Sequence, residues 1–533
     1  MTEPAPTNRR PSWIAWIVLA ILVIAAFAAW NRHRVEFDDA YISYRYAVNL
    51  ATGHGLVFNP GERVEGYSNF LWVLLLAGVR LIGIAPHVAA PWLGVACFLG
   101  TLVLGWATVW WPGDGRRPDA VRGLMATLIL AVLVSAHGFA ATAGSGLETH
   151  LFALLVVATG VALMRADLQR AGSLLTFGAL PAALLLTRPD GVVPAVTALA
   201  VVGVFSAVQR DDWRIGMLSG AIAAAPAVAA GSALALFKLT YYGELIPNPY
   251  YAKGADALHI DAGFAYLWGF LRSYPFVAVA IVVAIVVAAR RGTAEPVRRL
   301  AIFTVLTCAA YWSFLIKVGG DFMEYRLALH LMPLVVLTAA VAAMRSIRNL
   351  GLFAAVTLLM VALSFRPVVL ETRYYMQDLA EMDRYVGQGT RVGKALAELP
   401  PDTRIATTLI GTIGYFSNRI IVDQWGLVDA RVRDRAPRRR FFRGHVRYTD
   451  PREAKRLGAQ LLLDHPHICQ CSSRCLGHGR DVLIAIGRGA CVRARVLDLD
   501  DRFVSALSDD PDRYPVVGSA IRRARPDAAE HPR

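Results

Sequence analysis

Eleven stretches of this chain are apolar for long enough to read as membrane-spanning helices, at roughly 12–30, 88–111, 121–141, 149–165, 171–187, 192–209, 215–238, 265–289, 299–316, 327–344 and 349–365. Crossing a bilayer takes about 20 mostly apolar residues in a helix. A further run, NFLWVLLLAGVRLIG at 69–83, is shorter and carries Arg80, which predicts an interfacial or re-entrant helix instead of a crossing. No small-residue cleavage site follows the first run, so it predicts a retained anchor, not a signal peptide. After about Arg366 the pattern turns rich in charges and turn residues. Short apolar runs at 404–408, 460–464, 481–486 and 491–497 predict strands there, and 371–398 predicts a helix. The expected fold is a polytopic α-helical membrane domain over 1–365, with about eleven spans, followed by an α/β domain over 366–533.

Composition supports the membrane reading. Of 533 residues 56% are hydrophobic and 18% charged, against about 25% charged in a soluble domain. That excludes a soluble globular enzyme and a disordered chain. The net charge is +15, yet only Lys238, Lys253, Lys317, Lys394 and Lys455 are lysines among the 55 basic residues. Such an arginine bias in an Ala- and Val-rich chain is a compositional habit, so it is not read as a nucleic-acid signal. Arginine placement does carry orientation, because cytoplasmic loops hold the excess of positive charge. Arg9, Arg10, Arg116, Arg117, Arg122, Arg165, Arg170, Arg210, Arg214, Arg290, Arg291, Arg298, Arg299, Arg345 and Arg348 all fall in one alternating set of connections. Arg32 and Arg34 dissent, but they sit in a long loop where the rule is weak. The expectation is a plasma-membrane protein with its N-terminus cytoplasmic and its C-terminal domain outside.

That orientation collects the polar motifs on the outer face. They are FDDAYISYRYA (37–47), GHGLVFNPGERVEGYSNFLW (53–72), SGLETHLF (145–152), TRPDG (187–191), GELIPNPYYAK (243–253) and GGDFMEYRL (319–327). Ionisable groups near lipid are costly and tend to line a polar cavity. Bland readings stand beside that one. Asp38 and Asp39 could cap the helix they begin, Glu148, Asp190 and Asp321 could serve turns or ion pairs, and Lys253 and Arg326 could snorkel.

The six motifs, in this order, resemble the GT-C membrane glycosyltransferases, and most closely the actinobacterial terminal β-(1→2) arabinofuranosyltransferase family. The resemblance covers about residues 12–430. It implies juxtamembrane helices in the first outer loop, a catalytic Asp there, and a polyprenyl-phosphate sugar donor, decaprenyl-phosphoryl-arabinofuranose in the arabinan enzymes. The acceptor it implies is a cell-wall polysaccharide, the arabinan of arabinogalactan or lipoarabinomannan. Other lipid-linked sugars remain open, and a transporter or flippase is the rival class, although no internal repeat of the kind transporters show is evident.

For such a transfer, an acceptor hydroxyl needs a carboxylate in hydrogen-bond reach, and a departing phosphate needs cations. Asp38 and Asp39 are the candidates for the base. Neighbouring helical side chains diverge by about 100°, so the pair is expected to divide its roles, one acid facing the sugar and the other holding an arginine or the N-terminus of the helix they begin. Lys253, Arg326, Arg63 and Tyr251 are the phosphate-binding candidates, with Tyr325 as a further hydroxyl donor. Glu148, Asp190, Asp321, Tyr67 and His54 are the sugar-binding ones, with Trp72 offering an aromatic face and His330 a weaker candidate for function. No His/Asp cluster shows ligand spacing; a divalent metal stays open, and no cofactor is assigned. One displacement would invert the sugar and a carboxylate nucleophile would retain it.

In the C-terminal part, CQCSSRC (469–475) and Cys491, near His465, His467 and His478, leave disulfides, zinc and free thiols open. The run RAPRRR (435–440) reads as a solvated basic surface able to meet lipid headgroups. The segment GYFSNRIIVDQWGLVD (414–429) is expected to pack on the membrane domain, with Asp423, Trp425 and Asp429 either touching glycan or serving the core.

Overall fold

The computed structural model describes residues 13–110, 119–346, 349–364, 379–442, 445–487 and 489–498, together with 507, 510 and 512–517. Arg9, Arg10, Arg116, Arg117 and Arg348 of the orientation pattern, and 371–378 of the predicted helix, lie outside these.

Over their described residues the eleven apolar runs are helical, with breaks inside some of them. Six described helices are long and apolar enough to cross a membrane: Trp13–His33, Pro86–Trp110, Pro189–Arg210, Trp213–Tyr241, Glu295–Val318 and Arg326–Met344. Two bent pairs raise that to eight. Val121–Ser135 meets His137–Gly144 at 80°, and Ile260–Ser273 meets Pro275–Ala289 at 95°. Pro275 sets the second bend, since proline starts a helix readily but cannot donate inside one. Thr149–Arg165, Ala171–Thr187 and Gly351–Ser364 are apolar but only 10–17 residues long. The run at 69–83 forms the 12-residue helix Phe70–Leu81, too short to span.

Glycine lets the helices approach closely. A Cβ on Gly178 would sit 2.3 Å from the Ala223 carbonyl oxygen, and one on Gly216 would sit 2.5 Å from that of Gly203. Small residues at such crossings give dispersion contacts that lipid cannot replace.

The C-terminal region holds strands β1 (Arg404–Thr407), β2 (Ile420–Asp423), β3 (Arg438–Phe442), β4 (His445–Arg447), β5 (Leu461–Gln470), β6 (Asp481–Ala485), β7 (Ala490–Val496) and β8 (Val516–Val517). Six form a mixed sheet in the order β2-β1-β5-β7-β6-β8, parallel at β2/β1 and β1/β5 and antiparallel beyond; β3 and β4 pair separately. The predicted helix is Leu379–Leu396. The predicted strand at 460–464 runs on to Gln470. Cysteine pairing is resolved: Cys469 bonds Cys475 and Cys471 bonds Cys491, tying the end of β5 to β7. His467, Cys469 and Cys475 place their ligand atoms within 4.8 Å of one another, but both sulfurs are used in that disulfide, which leaves no thiolate pair for zinc.

Two large hydrophobic cores result. One fills the helical bundle. The other is shared: Phe37, Tyr41, Tyr44 and Trp72 of the segment between the first two long helices join Ile410, Ile413 and Leu427 and one face of the sheet.

Candidate functional site

The helix Asp38–Ala51 organises the site. Phe37 is extended, and Asp38 and Asp39 occupy the first turn, where the helix dipole favours acids. From there the two carboxylates part. Asp38 Oδ2 accepts from the Gly411 amide at 2.9 Å, and its Oδ1 accepts from the Thr412 amide at 2.8 Å and the Thr412 hydroxyl at 2.6 Å. It therefore caps the N-terminus of a different helix, Ile410–Ser417. Two turns on, buried Arg45 holds the other end of that helix. Its Nη1 donates to the Gly414 carbonyl at 2.6 Å and its Nη2 to the Arg419 carbonyl at 2.7 Å. Anion at the positive end and cation at the negative end match the macrodipole of Ile410–Ser417. Burial pushes the Asp38 carboxyl up to about 6, against the pull of its three donors.

Asp39 faces away from that helix, into a cavity of about 770 Å³. Glu65, Tyr67, Glu148, Arg188, Asp190, Lys238, Lys253, Asp321 and Arg326 line it as well, together with apolar residues such as Leu185, Leu234, Phe314 and Val318. Leu427 and Val446 of the C-terminal region complete the wall. The loop bearing Leu427 is fixed from both sides. Asn248 donates to the Gly426 and Leu427 carbonyls at 2.7 and 2.8 Å, and Asp423 accepts from the Trp425 and Val428 amides at 2.8 and 2.9 Å. Burial lifts Asp423 to about 7.

Three of the four cavity cations are tightly committed. Arg188 forks onto Asp190 at 2.8 and 3.0 Å and also donates to Glu148. Glu148 accepts from Asn69 at 2.7 Å, and Asp190 from the Tyr311 hydroxyl at 2.6 Å. Arg326 reaches Asp321 through Nε and Nη2 at 3.0 and 2.7 Å. Gly319 and Gly320, both at positive φ, end the preceding helix and turn the chain to bring Asp321 there. Burial raises the Asp321 carboxyl, but Arg326 and then Lys253 more than reverse that and leave it below the ordinary range. Lys238 lies 2.8 Å from Glu65. Lys253 differs: its Nζ is 3.8 Å from Asp39 Oδ2, and the two side chains keep 27% and 26% of their exposure, while the other four pairs keep 11% or less. Asp39 and Lys253 are thus the open ion pair of the cavity.

Of the residues expected from sequence, Asp39, Lys253, Arg326, Glu148, Asp190, Asp321 and Tyr67 are brought together on this wall. Asp38, Arg63, Tyr251 and His54 are not among the lining residues. Arg63 stacks on the Tyr241 ring at 4.7 Å, Tyr251 lies under Arg433 at 5.4 Å, and His54 is exposed with Nδ1 2.9 Å from the Thr52 hydroxyl. Trp72 is buried, donating to the Gly146 carbonyl at 3.0 Å. Tyr325 packs at 5.4 Å on Tyr266, and His330 lies buried 3.3 Å from the Tyr311 hydroxyl. Arg188, Lys238, Glu65 and Tyr250 line the cavity without having been expected as site residues. Arg188 was legible as the partner of the TRPDG acid. Lys238 gave a signal too, as a charge near the end of an apolar helix.

The chain is 29% identical over 345 residues to the terminal beta-(1->2)-arabinofuranosyltransferase of Corynebacterium glutamicum, covering 58% of this chain and 48% of that one. With the enzyme of the same name from Mycobacterium tuberculosis it is 28% identical over 277 residues, covering 49% and 41%. The chain resembles the terminal arabinofuranosyltransferases. It spans about half the length of these curated relatives. Its fold is similar to that of ArnT from Cupriavidus metallidurans, solved bound to undecaprenyl phosphate, with a TM-score of 0.53 at 13% identity over 91% of this chain and 99% of that one. The architecture is therefore the GT-C-like one expected, in a multi-pass membrane protein. Residues 377–498 match a domain of unknown function, DUF8728.

Proposed function

We propose that this protein is a membrane glycosyltransferase that moves a sugar, D-arabinofuranose on the strength of its relatives, from a polyprenyl-phosphate donor to a cell-envelope glycan. The observation that carries the reading is Asp39 beside Lys253 in a cavity lined by both charged and apolar side chains. In the proposed orientation the N-terminus is cytoplasmic, eleven helices cross, and the cavity and C-terminal domain lie outside.

Lys253 and Arg326 hold the donor phosphate, and the lipid chain follows the apolar lining. Phosphate competes with Asp39 for Lys253, which frees the carboxylate as the donor binds. Asp39 then accepts the proton of the acceptor hydroxyl as its oxygen attacks the anomeric carbon. The bond from that carbon to phosphate oxygen breaks, and the leaving phosphate takes the electron pair against the two cations. This displacement inverts the anomeric centre; Asp39 acting as nucleophile would retain it. Asp38 and Arg45 serve a different end, docking Ile410–Ser417 so that Leu427 and Val446 close the wall. The test is transfer in membranes from synthetic polyprenyl-phosphoryl sugars to oligosaccharide acceptors. Transfer that falls about 10²- to 10⁴-fold in Asp39→Asn supports the reading, and absence of transfer from every donor sinks it.

A further inference from the structure

One buried acid of the cavity is only half used. Glu65 lines the wall, and its side chain keeps 4% of its exposure. One carboxylate oxygen, Oε1, meets Lys238 at 2.8 Å, while Oε2 is buried with no hydrogen-bond partner among the described residues. A buried carboxylate oxygen left without a donor is expensive, and native structures keep few of them without a use.

The backbone around Glu65 is held on three sides. The Tyr46 hydroxyl donates to the Val64 carbonyl at 2.6 Å and accepts from the Gly66 amide at 2.8 Å, so it grips both neighbours of Glu65. The Asn248 amide donates to the Glu65 carbonyl at 2.9 Å. Gly66 permits this closeness: a Cβ there would lie 2.5 Å from Val428 and 2.9 Å from the Tyr46 hydroxyl. A carboxylate fixed so firmly, with a lysine on one oxygen and nothing on the other, is a preorganised acceptor for one more donor.

We infer that Glu65 Oε2 accepts a hydrogen bond from a hydroxyl of the transferred sugar, making Glu65 a specificity-determining residue, with Lys238 as its positioning partner. This rests on the glycosyltransferase reading and deepens it by naming a polyol contact the motifs did not suggest. A hydroxyl supplies the one donor Oε2 lacks, whereas phosphate is repelled by the carboxylate. Burial pushes the Glu65 carboxyl up to about 7 against the pull of Lys238, and donation to the ionised form would offset part of that cost.

The test compares parent and Glu65→Gln in the membrane assay, using the natural-sugar donor and a series of donors each lacking one sugar hydroxyl. The parent should lose about 10- to 100-fold in kcat/KM on one monodeoxy donor. Glu65→Gln should lose a similar factor on the full sugar and almost nothing further on that same deoxy donor. A purely structural role would slow all donors alike, and that outcome overturns the inference while leaving the glycosyltransferase reading standing. If Glu65→Gln fails to accumulate, Glu65→Asp, which withdraws the carboxylate by one methylene, carries the same comparison. No transfer by the parent from any donor refutes the underlying reading instead.

Discussion

Removing the Asp38 carboxylate separates docking from chemistry. In Asp38→Ala the Gly411 and Thr412 amides lose their acceptor at the first turn of Ile410–Ser417; the Thr412 hydroxyl can turn elsewhere. Each orphaned amide costs about 1–2 kcal/mol, in line with the loss of an N-cap. Relief of a buried charge, visible in the raised Asp38 carboxyl, offsets part of this, so the net loss is about 1–3 kcal/mol. Local opening of 410–417 should then be about 5- to 150-fold more frequent. Hydrogen exchange in detergent or nanodiscs reads it directly, at the amides of Gly411 and Thr412. Asp39→Ala should leave those amides as protected as in the parent. If Asp38→Ala leaves exchange unchanged while transfer disappears, the division of labour argued for the two acids is wrong.

Other consequences are as direct. Lys253→Gln should raise KM for the lipid-phosphate donor about 10- to 100-fold with a smaller effect on the acceptor KM, measured by initial rates against each substrate. Asp38 and Asp423 are held at about 6 and about 7, against 3.8 for a free Asp. The folded state therefore binds more protons than the unfolded one between about pH 4 and pH 7, and these groups' contribution falls as pH rises through that window and levels off above it. Thermal melts across the range should show this decline weakened in Asp38→Asn. Gly411→Ala would drive a Cβ to 1.9 Å from the Asp38 carbonyl oxygen, whereas a Cβ on Gly387 meets nothing within 4 Å. Gly411→Ala should undock the domain in limited proteolysis, and Gly387→Ala should raise stability by about 0.5–1 kcal/mol through helix propensity. Replacing Cys471 and Cys491 with serine, which opens a link 20 residues apart, should cost about 2–4 kcal/mol of domain stability by denaturant unfolding.

The helical half of the fold was legible because apolar length is a property of contiguous sequence. Even the exception at 69–83 could be read, from its length and Arg80. The strands β2, β3, β4 and β8 were not foreseen. Ile420–Asp423 is four residues long and buried on its last three, a pattern too short to show a period. The candidate site was legible where an acid or base stood in a turn-rich motif, as with Asp39, Asp321 and Lys253. It was hidden where function depends on meeting a partner far along the chain. Nothing in the spacing of Glu65 and Lys238, or of Asp38 and Thr412, announces that they touch, since those contacts are created by the packing of helices and by the docking of Ile410–Ser417. The division of Asp38 from Asp39 was predictable from helical geometry, but the identity of the helix that Asp38 caps was not.

The central claim is that Asp39, paired with Lys253 in the cavity, performs the transfer. Initial rates in native membranes with a polyprenyl-phosphoryl arabinofuranose donor, for the parent and Asp39→Asn at matched protein levels, test it most directly. The account predicts a fall of about 10²- to 10⁴-fold in kcat with donor binding retained. An Asp39→Asn protein that transfers sugar at the parent's rate would contradict it.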